Sequence, residues 1–564
     1  MGQLVFAVRE AARKQVGGEP VTPRHRLEDA QTLRHHFTTD AVACHDRYAM
    51  CRRHACEDNR IASYDATAHA VAAAGTILNN RATTDTRGSM RMIFAEYSQF
   101  DGLGLAELVR KGEVSPADLV DSAIDAIERL NPEINCVVQQ LRDLALREIK
   151  AGLPYGPFHG VPFLVKEFGM HFKGMKTAAG SRLADGIRFD ADTELMRRCR
   201  AAGLVTVGTT TTPEMAFNAN SEALVYGPTR NPWHLGHSVG GSSGGAGAAV
   251  GCGMVPIAHA NDGGGSIRIP AACNGVVGMK PPRGRTPTGP DAGIFLWGLA
   301  IEFAETRSVR DSAALLDALA GPDDGYFYVA TPPRRGFLSA ALTPPGRLRI
   351  GVVDRLPGAR TITREIKDRL GDTVALLENL GHVCEPVRLN YDAEIFNESS
   401  IRLWAVTLAY FMEQFAKMTG RKIGPKTCEA VTLEVYRYAR SLSGIQMEEA
   451  MAWQNAVSRH VGAVMRDYDV LLTPGLARDV AKLGELDQNA KGMDMMGWWN
   501  HIIQNYSAFT ALFNTTGQPA VMLPLWQAQA GHPRAIQVAG PPGRGGTQYS
   551  LARPPAQGKP RARR

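Results

Sequence analysis

The sequence offers no regular cysteine framework and no zinc-type ligand spacing. Its nine cysteines are spread over 564 residues. Cys44, Cys51 and Cys56 lie near His45 and His54, but that spacing matches no usual metal pattern. The other six, from Cys136 to Cys428, suit free thiols in a reducing cytosol, so the expected compartment is cytoplasmic. Acid is missing from the last 24 residues, which carry Arg544, Arg553, Lys559, Arg561, Arg563 and Arg564. That tail supplies six of the seven net positive charges, leaving about +1 for the other 540 residues. A body so nearly neutral excludes a fold built around a basic nucleic-acid surface. The tail itself offers almost nothing to bury and is expected to be disordered over 541–564. Between Asn231 and Asn261 there is no Asp, Glu, Lys or Arg, yet this stretch is rich in Gly, Ser and His and poor in Leu and Ile. It reads as a buried loop and helix, not a membrane span. The apolar run at the N-terminus is too short for a signal peptide, and Phe6 stands where myristoylation needs Ser or Thr.

What is present changes texture along the chain. Residues 1–90 are rich in Arg, His, Ala and Thr with weak periodicity. They read as a poorly ordered extension, with Met90 or Met92 as an alternative start. Helix grammar follows at once. Ser115 is placed to cap, Pro116 suits the first helical position and Asp118 completes a capping box. Leu119, Val120, Ala123, Ile124, Ile127 and Leu130 then fall on one face, and Asn131-Pro132 is expected to end the helix. From about 158 to 355 helices and strands alternate. GVPFLVKE is a short buried strand ending at Lys166. TELMRRCRAAGLVTVGTT is helix, glycine stop and strand, and SVRDSAALLDALAG is a helix closed by Gly321. RLRIGVVD is another strand, residues 360–467 read as mostly helical, and YDVLLTPGLA is a strand entering a proline turn. The alternation predicts an α/β fold, a mixed or parallel sheet covered by helices.

Two glycine–serine segments carry the chemistry: HSVGGSSGGAGAAVG (237–251) and NDGGGSIRIP (261–270). Neither has the lysine of a phosphate loop or a GxGxxG pattern, so nucleotide binding is excluded. GGSSGG satisfies G-x-S-x-G at Ser242 and Ser243, but the residues before it, NPWHLGHSV, make a poor strand for a nucleophile elbow. The remaining reading joins both segments in one site. A serine hydroxyl needs an adjacent base. A lysine serves if burial keeps it neutral, and Lys166 closes an apolar strand. A second serine could relay the proton, and the three glycines before Ser266 would present bare N–H groups to an oxyanion.

The run GGSSGGAGAAVGCGMVPIAHANDGGGSIRIPAACNGVVGMKPPRGR, with GVPFLVKE, YGPTRNPW, SVRDSAALLDALAG, YDVLLTP and FNTTGQPAVMLPL in order, resembles the amidase signature family over roughly residues 95–540. The resemblance implies a large mixed sheet with helices on both faces, spanning 91–540. It implies Ser266 as nucleophile, Ser242 as relay serine (on a cis peptide bond) and Lys166 as base. The oxyanion would be held by the N–H groups of Gly263, Gly264, Gly265 and Ser266, with Ser243, Asp262 and Arg268 in support. It implies hydrolysis of a small-molecule amide, linear or cyclic, with no metal or cofactor, no specific nucleic acid, no membrane and a possible homodimer. Two alternatives share the motif: the amidase subunit of a tRNA-dependent glutamine amidotransferase, and a noncatalytic scaffold on the same fold. NDGGGS replaces the common TD-x-GGS, and Glu167 the common Asp. NDGGGSIRIPA looks most like the branch containing 6-aminohexanoate cyclic-dimer hydrolases. After IQVAG the family continues into a closing helix, where this chain has Pro-Gly-Arg sequence. His259 reads as a buried structural histidine, and Trp297, Trp404, Trp498 and Trp499 as either acyl-pocket or core.

Overall fold

The computed structural model describes residues 93–552, apart from 360, 361, 491, 493, 529 and 544. The expected N-terminal extension, its cysteine–histidine cluster and the end of the basic tail lie outside the described residues.

Eleven strands form one sheet. Its order is Val137–Gln140, Val205–Thr210, Pro162–Lys166, Ile257–Asp262, Ile301–Thr306, Val277–Lys280, Ala520–Gln527, Pro533–Ala539, Val470–Pro474, Arg349–Val352 and Val383–Pro386. Pro162–Lys166 runs parallel to both its neighbours, as does Arg349–Val352, and the remaining pairs are antiparallel. The strands near the site show no in–out alternation. Every residue of Pro162–Lys166, Val205–Thr210, Ile257–Asp262 and Ile301–Thr306 is buried. Both faces of the sheet are therefore covered there, and polar residues these strands carry, among them Lys166, Asn261, Asp262 and Glu302, are buried with them. The mixed α/β architecture is the expected one.

Local sequence explains most element boundaries. Ser115 and Asp118 form the reciprocal capping box at the start of Pro116–Ile134, satisfying two otherwise orphaned N–H groups. That helix does not end at Asn131-Pro132. Pro132 sits inside its last turn, and the helix stops three residues later at Asn135, which adopts a left-handed φ of 57°. A proline so near the C-terminus removes only one late backbone bond. The Asn131 side chain then takes over the exit, accepting the N–H groups of Cys136 and Val137, both at 2.8 Å. The stretch expected to be mostly helical contains four helices, Arg364–Asn379, Ala393–Thr419, Ala430–Ser441 and Gly444–Val464. It also holds the short, half-exposed strand Val383–Pro386, which has too little apolar character to announce itself.

The C-terminal expectation is corrected in part. Residues Gly545–Leu551 form a short helix. Its Tyr549 is fully buried, pairs its hydroxyl with Ser312 Oγ at 2.8 Å and packs edge-on against Phe337. One aromatic anchor orders a segment whose Gly and Arg content had suggested none.

Candidate active site

Lys166 ends the strand that stands third in the eleven-strand order, with its side chain wholly buried. Its Nζ lies 2.8 Å from Ser242 Oγ, 2.9 Å from Ser243 Oγ and 2.6 Å from Asn261 Oδ1. Burial lowers its pKa from 10.5 to about 7, against the opposing pull of Glu302, Glu305 and Asp262. The three neighbours fix the hydrogen-bond roles. Asn261 donates its Nδ2 to Phe168 O and Glu302 Oε1, so its Oδ1 must accept. Ser243 Oγ donates to Asn261 O at 3.2 Å and is left to accept from the lysine. A neutral amine has two N–H donors and one lone pair. Its donors go to Ser243 and Asn261, and the lone pair faces the hydroxyl of Ser242. Of the three contacts, the one to Ser242 is then the one that can run from hydroxyl to amine.

Ser242 is joined to Gly241 by a cis peptide bond, and Ser243 after it takes the N-cap position of the buried helix Gly244–Gly251. Ser266 lies on the loop between the strand Ile257–Asp262 and the helix Arg268–Asn274. The two loops are tied by the Ser243 N–H, which donates to Ser266 O at 3.2 Å. Both Ser242 and Ser266 line the same cavity. No hydrogen bond joins their hydroxyls in this structure.

The glycine loop is held from behind by one ion pair. Arg268 and Asp262 are fully buried and bonded at two points, Nε to Oδ2 at 2.8 Å and Nη2 to Oδ1 at 2.9 Å. The guanidinium also donates to Thr510 O, Gln537 Oε1 and Asn514 Oδ1. Burial pushes the Asp262 carboxyl up, but the charge and hydrogen bonds of Arg268 outweigh it and set the group at about 2. Asp262 Oδ1 in turn accepts the Gly265 N–H at 2.7 Å. This corrects the expected oxyanion set: Gly265 spends its N–H on shaping the loop. The N–H groups of Gly263, Gly264 and Ser266 have no partner among the described residues. Gly265 has φ 140°, and a Cβ there would meet Thr510 Oγ1 at 2.4 Å, so the position requires glycine on both counts.

His259 is buried and bonded to Glu302 at 2.6 Å, not to Asp262. It is a structural neighbour, as expected. Glu302 passes that contact on to Asn261 and hence to the lysine. Asn261, Glu302, Thr510, Asn514 and Gln537 were not singled out by sequence reasoning. Only Asn261 left a signal there, as a departure from the motif's usual threonine.

Two apolar lobes meet at Ser266, Ala216 and Trp404. They hold about 360 and 410 Å³ of non-atom space, open mouths included. The first is walled by Phe168, Phe295, Leu296, Leu408 and Phe411, the second by Phe217, Trp498, Trp499, Ile502 and Ile503. Trp404, Trp498 and Trp499 are thus pocket residues, whereas Trp297 is 38% exposed and lines neither lobe. Met215, Ala216 and Leu296 hold left-handed φ values of 53°, 56° and 49° on these walls. Strained backbone of this kind gathers at functional sites.

The Amidase family profile matches residues 118–547. The 6-aminohexanoate-cyclic-dimer hydrolase of Paenarthrobacter ureafaciens is 36% identical over 460 residues, 79% of this chain and 92% of the relative. A solved structure of 6-aminohexanoate cyclic dimer hydrolase complexed with substrate superposes with TM-score 0.76 at 34% identity, covering 81% of this chain and 96% of the other. A bacterial aryl acylamidase of the amidase signature family superposes with TM-score 0.71 at 27% identity, covering 80% and 94%.

Proposed function

The chain belongs to the amidase signature family and is an amidase, a hydrolase of carbon–nitrogen bonds other than peptide bonds, and on that premise we propose that Ser266 is its nucleophile, Ser242 its relay and Lys166 its base. The observation that carries the assignment is the dry Lys166 amine, whose one uncommitted direction faces Ser242 beside the Ser266 cavity.

In the first half-reaction the Ser242 hydroxyl gives its proton to neutral Lys166 and takes one from Ser266. Ser266 Oγ attacks the amide carbonyl carbon. The oxygen gains the negative charge and meets the N–H groups of Gly263, Gly264 and Ser266, each such donor being worth about 2.7–4 kcal/mol of barrier. Collapse breaks the C–N bond, and the proton held by Lys166 returns through Ser242 to the departing nitrogen. Water then attacks the acyl-enzyme by the same proton path, releasing carboxylate and restoring Ser266.

A cyclic or linear amide of the kind named for the cyclic-dimer hydrolases belongs to this reading. The amidotransferase alternative gains no support from the cavity, which has no charged side chain among the described lining residues to hold the ammonium and carboxylate of glutamine. A reducing, cytoplasmic setting also belongs to it, supported by six described cysteines that are all free. So does a homodimer, for which Phe327 and Val329, each 72% exposed, offer apolar side chains that a second copy would cover; sedimentation equilibrium checks it. The activity is tested with purified protein on linear amides, anilides and cyclic diamides. Release of amine by wild type and not by Ser266→Ala is the expected result; equal release by both would refute it.

A further inference from the structure

The chain that leaves the Lys166 strand runs past the first lobe to a buried anchor. Phe168 lines that lobe. His171, further along, is 5% exposed and lies between the buried Met170 and Phe172. Its ring stacks on Phe189 with centroids 3.8 Å apart. Both ring nitrogens face acceptors: Nδ1 lies 3.0 Å from Ala191 O, and Nε2 lies 2.6 Å from Asp291 Oδ2. A ring that donates from both nitrogens carries both protons, which makes the contact to Asp291 an ion pair as well as a hydrogen bond.

Asp291 belongs to the loop 289–297, which carries the opposite wall of the same lobe. Phe295 and Leu296 line the lobe, and Phe295 meets Phe168 with ring centroids 6.3 Å apart. Leu296 also packs over Gly263, where a Cβ would meet its Cδ2 at 2.8 Å, so the loop reaches a proposed oxyanion donor. Few other contacts hold the loop. Gly289 is tied at the entry, its N–H donating to Asp323 Oδ2 and its carbonyl accepting the Glu194 N–H. From 290 to 294 the backbone accepts only from Thr288 Oγ1, at Ala292 O, among the described residues. The ring of Phe327 lies over Gly293, and Asp291 supplies the one ion pair of this stretch.

We propose that His171 and Asp291 are positioning residues: their contact latches the loop 289–297 to the exit of the Lys166 strand and holds the Phe295 wall against the substrate arm in the first lobe. The inference rests on the Ser266 acyl-enzyme reading and adds to it two residues that line neither lobe. Without the latch the wall stands in place in only a fraction of the molecules, and apparent affinity drops by that fraction. An arm that fills the lobe restores the wall once bound, so the loss falls on KM and not on kcat. A substrate without such an arm does not use the wall and is unaffected.

The test uses full-length protein and matched pairs of amides, one member with a butyl arm and one cut back to methyl. The pair is made twice, with the variable arm on the acyl side and on the amine side. The Asp291 side chain is 61% exposed, so Asp291→Ala removes the latch without opening the core. In at least one orientation, KM for the butyl member should rise roughly 3- to 10-fold while kcat stays within about twofold. The methyl member should keep both constants within about twofold of wild type. Asp291→Glu returns a carboxylate to the loop and should bring KM for the butyl member back to within about twofold. Unchanged KM for the butyl member in both orientations would overturn the proposal. So would an equal rise for the methyl member, a loss confined to kcat, or a glutamate variant as impaired as the alanine one. Labelling of Ser266 by a fluorophosphonate, scored in parallel, separates the failures. Normal labelling of Asp291→Ala with unchanged KM refutes the latch alone, whereas no labelling of wild type refutes the acyl-enzyme reading beneath it.

Discussion

Replacing or titrating Lys166 probes the most costly feature of the site. An exposed lysine has a pKa near 10.5, whereas burial brings this one to about 7. At pH 7 about half of the enzyme would then carry a neutral amine, against about one molecule in 3,000 for an unshifted lysine. The kcat/KM profile should therefore fall tenfold per pH unit below about 7 and stay level above it. The same shift acts on stability. Between pH 7 and 10.5 the unfolded chain binds the proton and the folded chain does not, so wild-type stability rises with pH across that window. The penalty is absent above 10.5, grows as pH falls to 7 and is constant below. A difference of 3.5 pKa units corresponds to about 5 kcal/mol in full. Lys166→Met removes the titration but not the fold's other groups. In urea denaturation, the stability of wild type relative to Lys166→Met should improve by about 2 kcal/mol between pH 7 and 9, while the variant loses turnover. A kcat/KM that keeps rising to pH 10, or a stability difference that does not change with pH, would refute the neutral-lysine argument.

The remaining predictions concern the loop and the relay. Ser266→Ala should lower kcat by about 10⁵-fold or more, and Ser242→Ala by roughly 10²- to 10⁴-fold; activity within a few-fold of wild type in either would be the contrary outcome in a steady-state assay. Arg268→Met leaves the Asp262 carboxylate charged and unpaired in the core, so denaturation should show a loss of about 3–5 kcal/mol. Asp262 is already held near pKa 2; the ion pair's contribution is present above the ordinary carboxylate range and lost as pH falls toward 2. Arg268→Met should therefore be least different from wild type in strong acid. Gly265→Ala places a Cβ 2.4 Å from Thr510 Oγ1 at a φ of 140°, and should cost about 1–3 kcal/mol of backbone strain. It should also slow turnover more than it weakens substrate binding, as separate kcat and KM measurements would show.

Much of the site was legible because its chemistry is local. A lysine at the end of an apolar strand and a serine after three glycines announce themselves by composition. The capping box at Ser115 is equally a matter of near neighbours. Asp262 and Arg268 were legible as supports of the loop, but the groups that brace Arg268 were not, because they arrive from far along the chain: Gln537 meets it across 269 positions. The pocket tryptophans were ambiguous for another reason. An aromatic side chain satisfies a core and a binding cavity equally well, and only the fold shows that Trp404 and Trp499 face space while Trp297 faces solvent. The engagement of the Gly265 N–H depended on how the Asp262 carboxylate turns back on its own loop. Pro132 misled because a proline in a last helical turn costs little, and the segment 545–551 because one tyrosine outweighed its glycines.

The most direct measurement is the location of the covalent adduct after treatment with a fluorophosphonate. The tryptic peptide 231–268 carries Ser238, Ser242, Ser243 and Ser266 together, so fragment-ion mapping must place the added mass. A single adduct on Ser266, absent from Ser266→Ala and slowed below pH 7, is the expected result. An adduct on Ser242 or Ser243, or labelling of Ser266 at a rate that Lys166→Met leaves unchanged, would contradict the assignment.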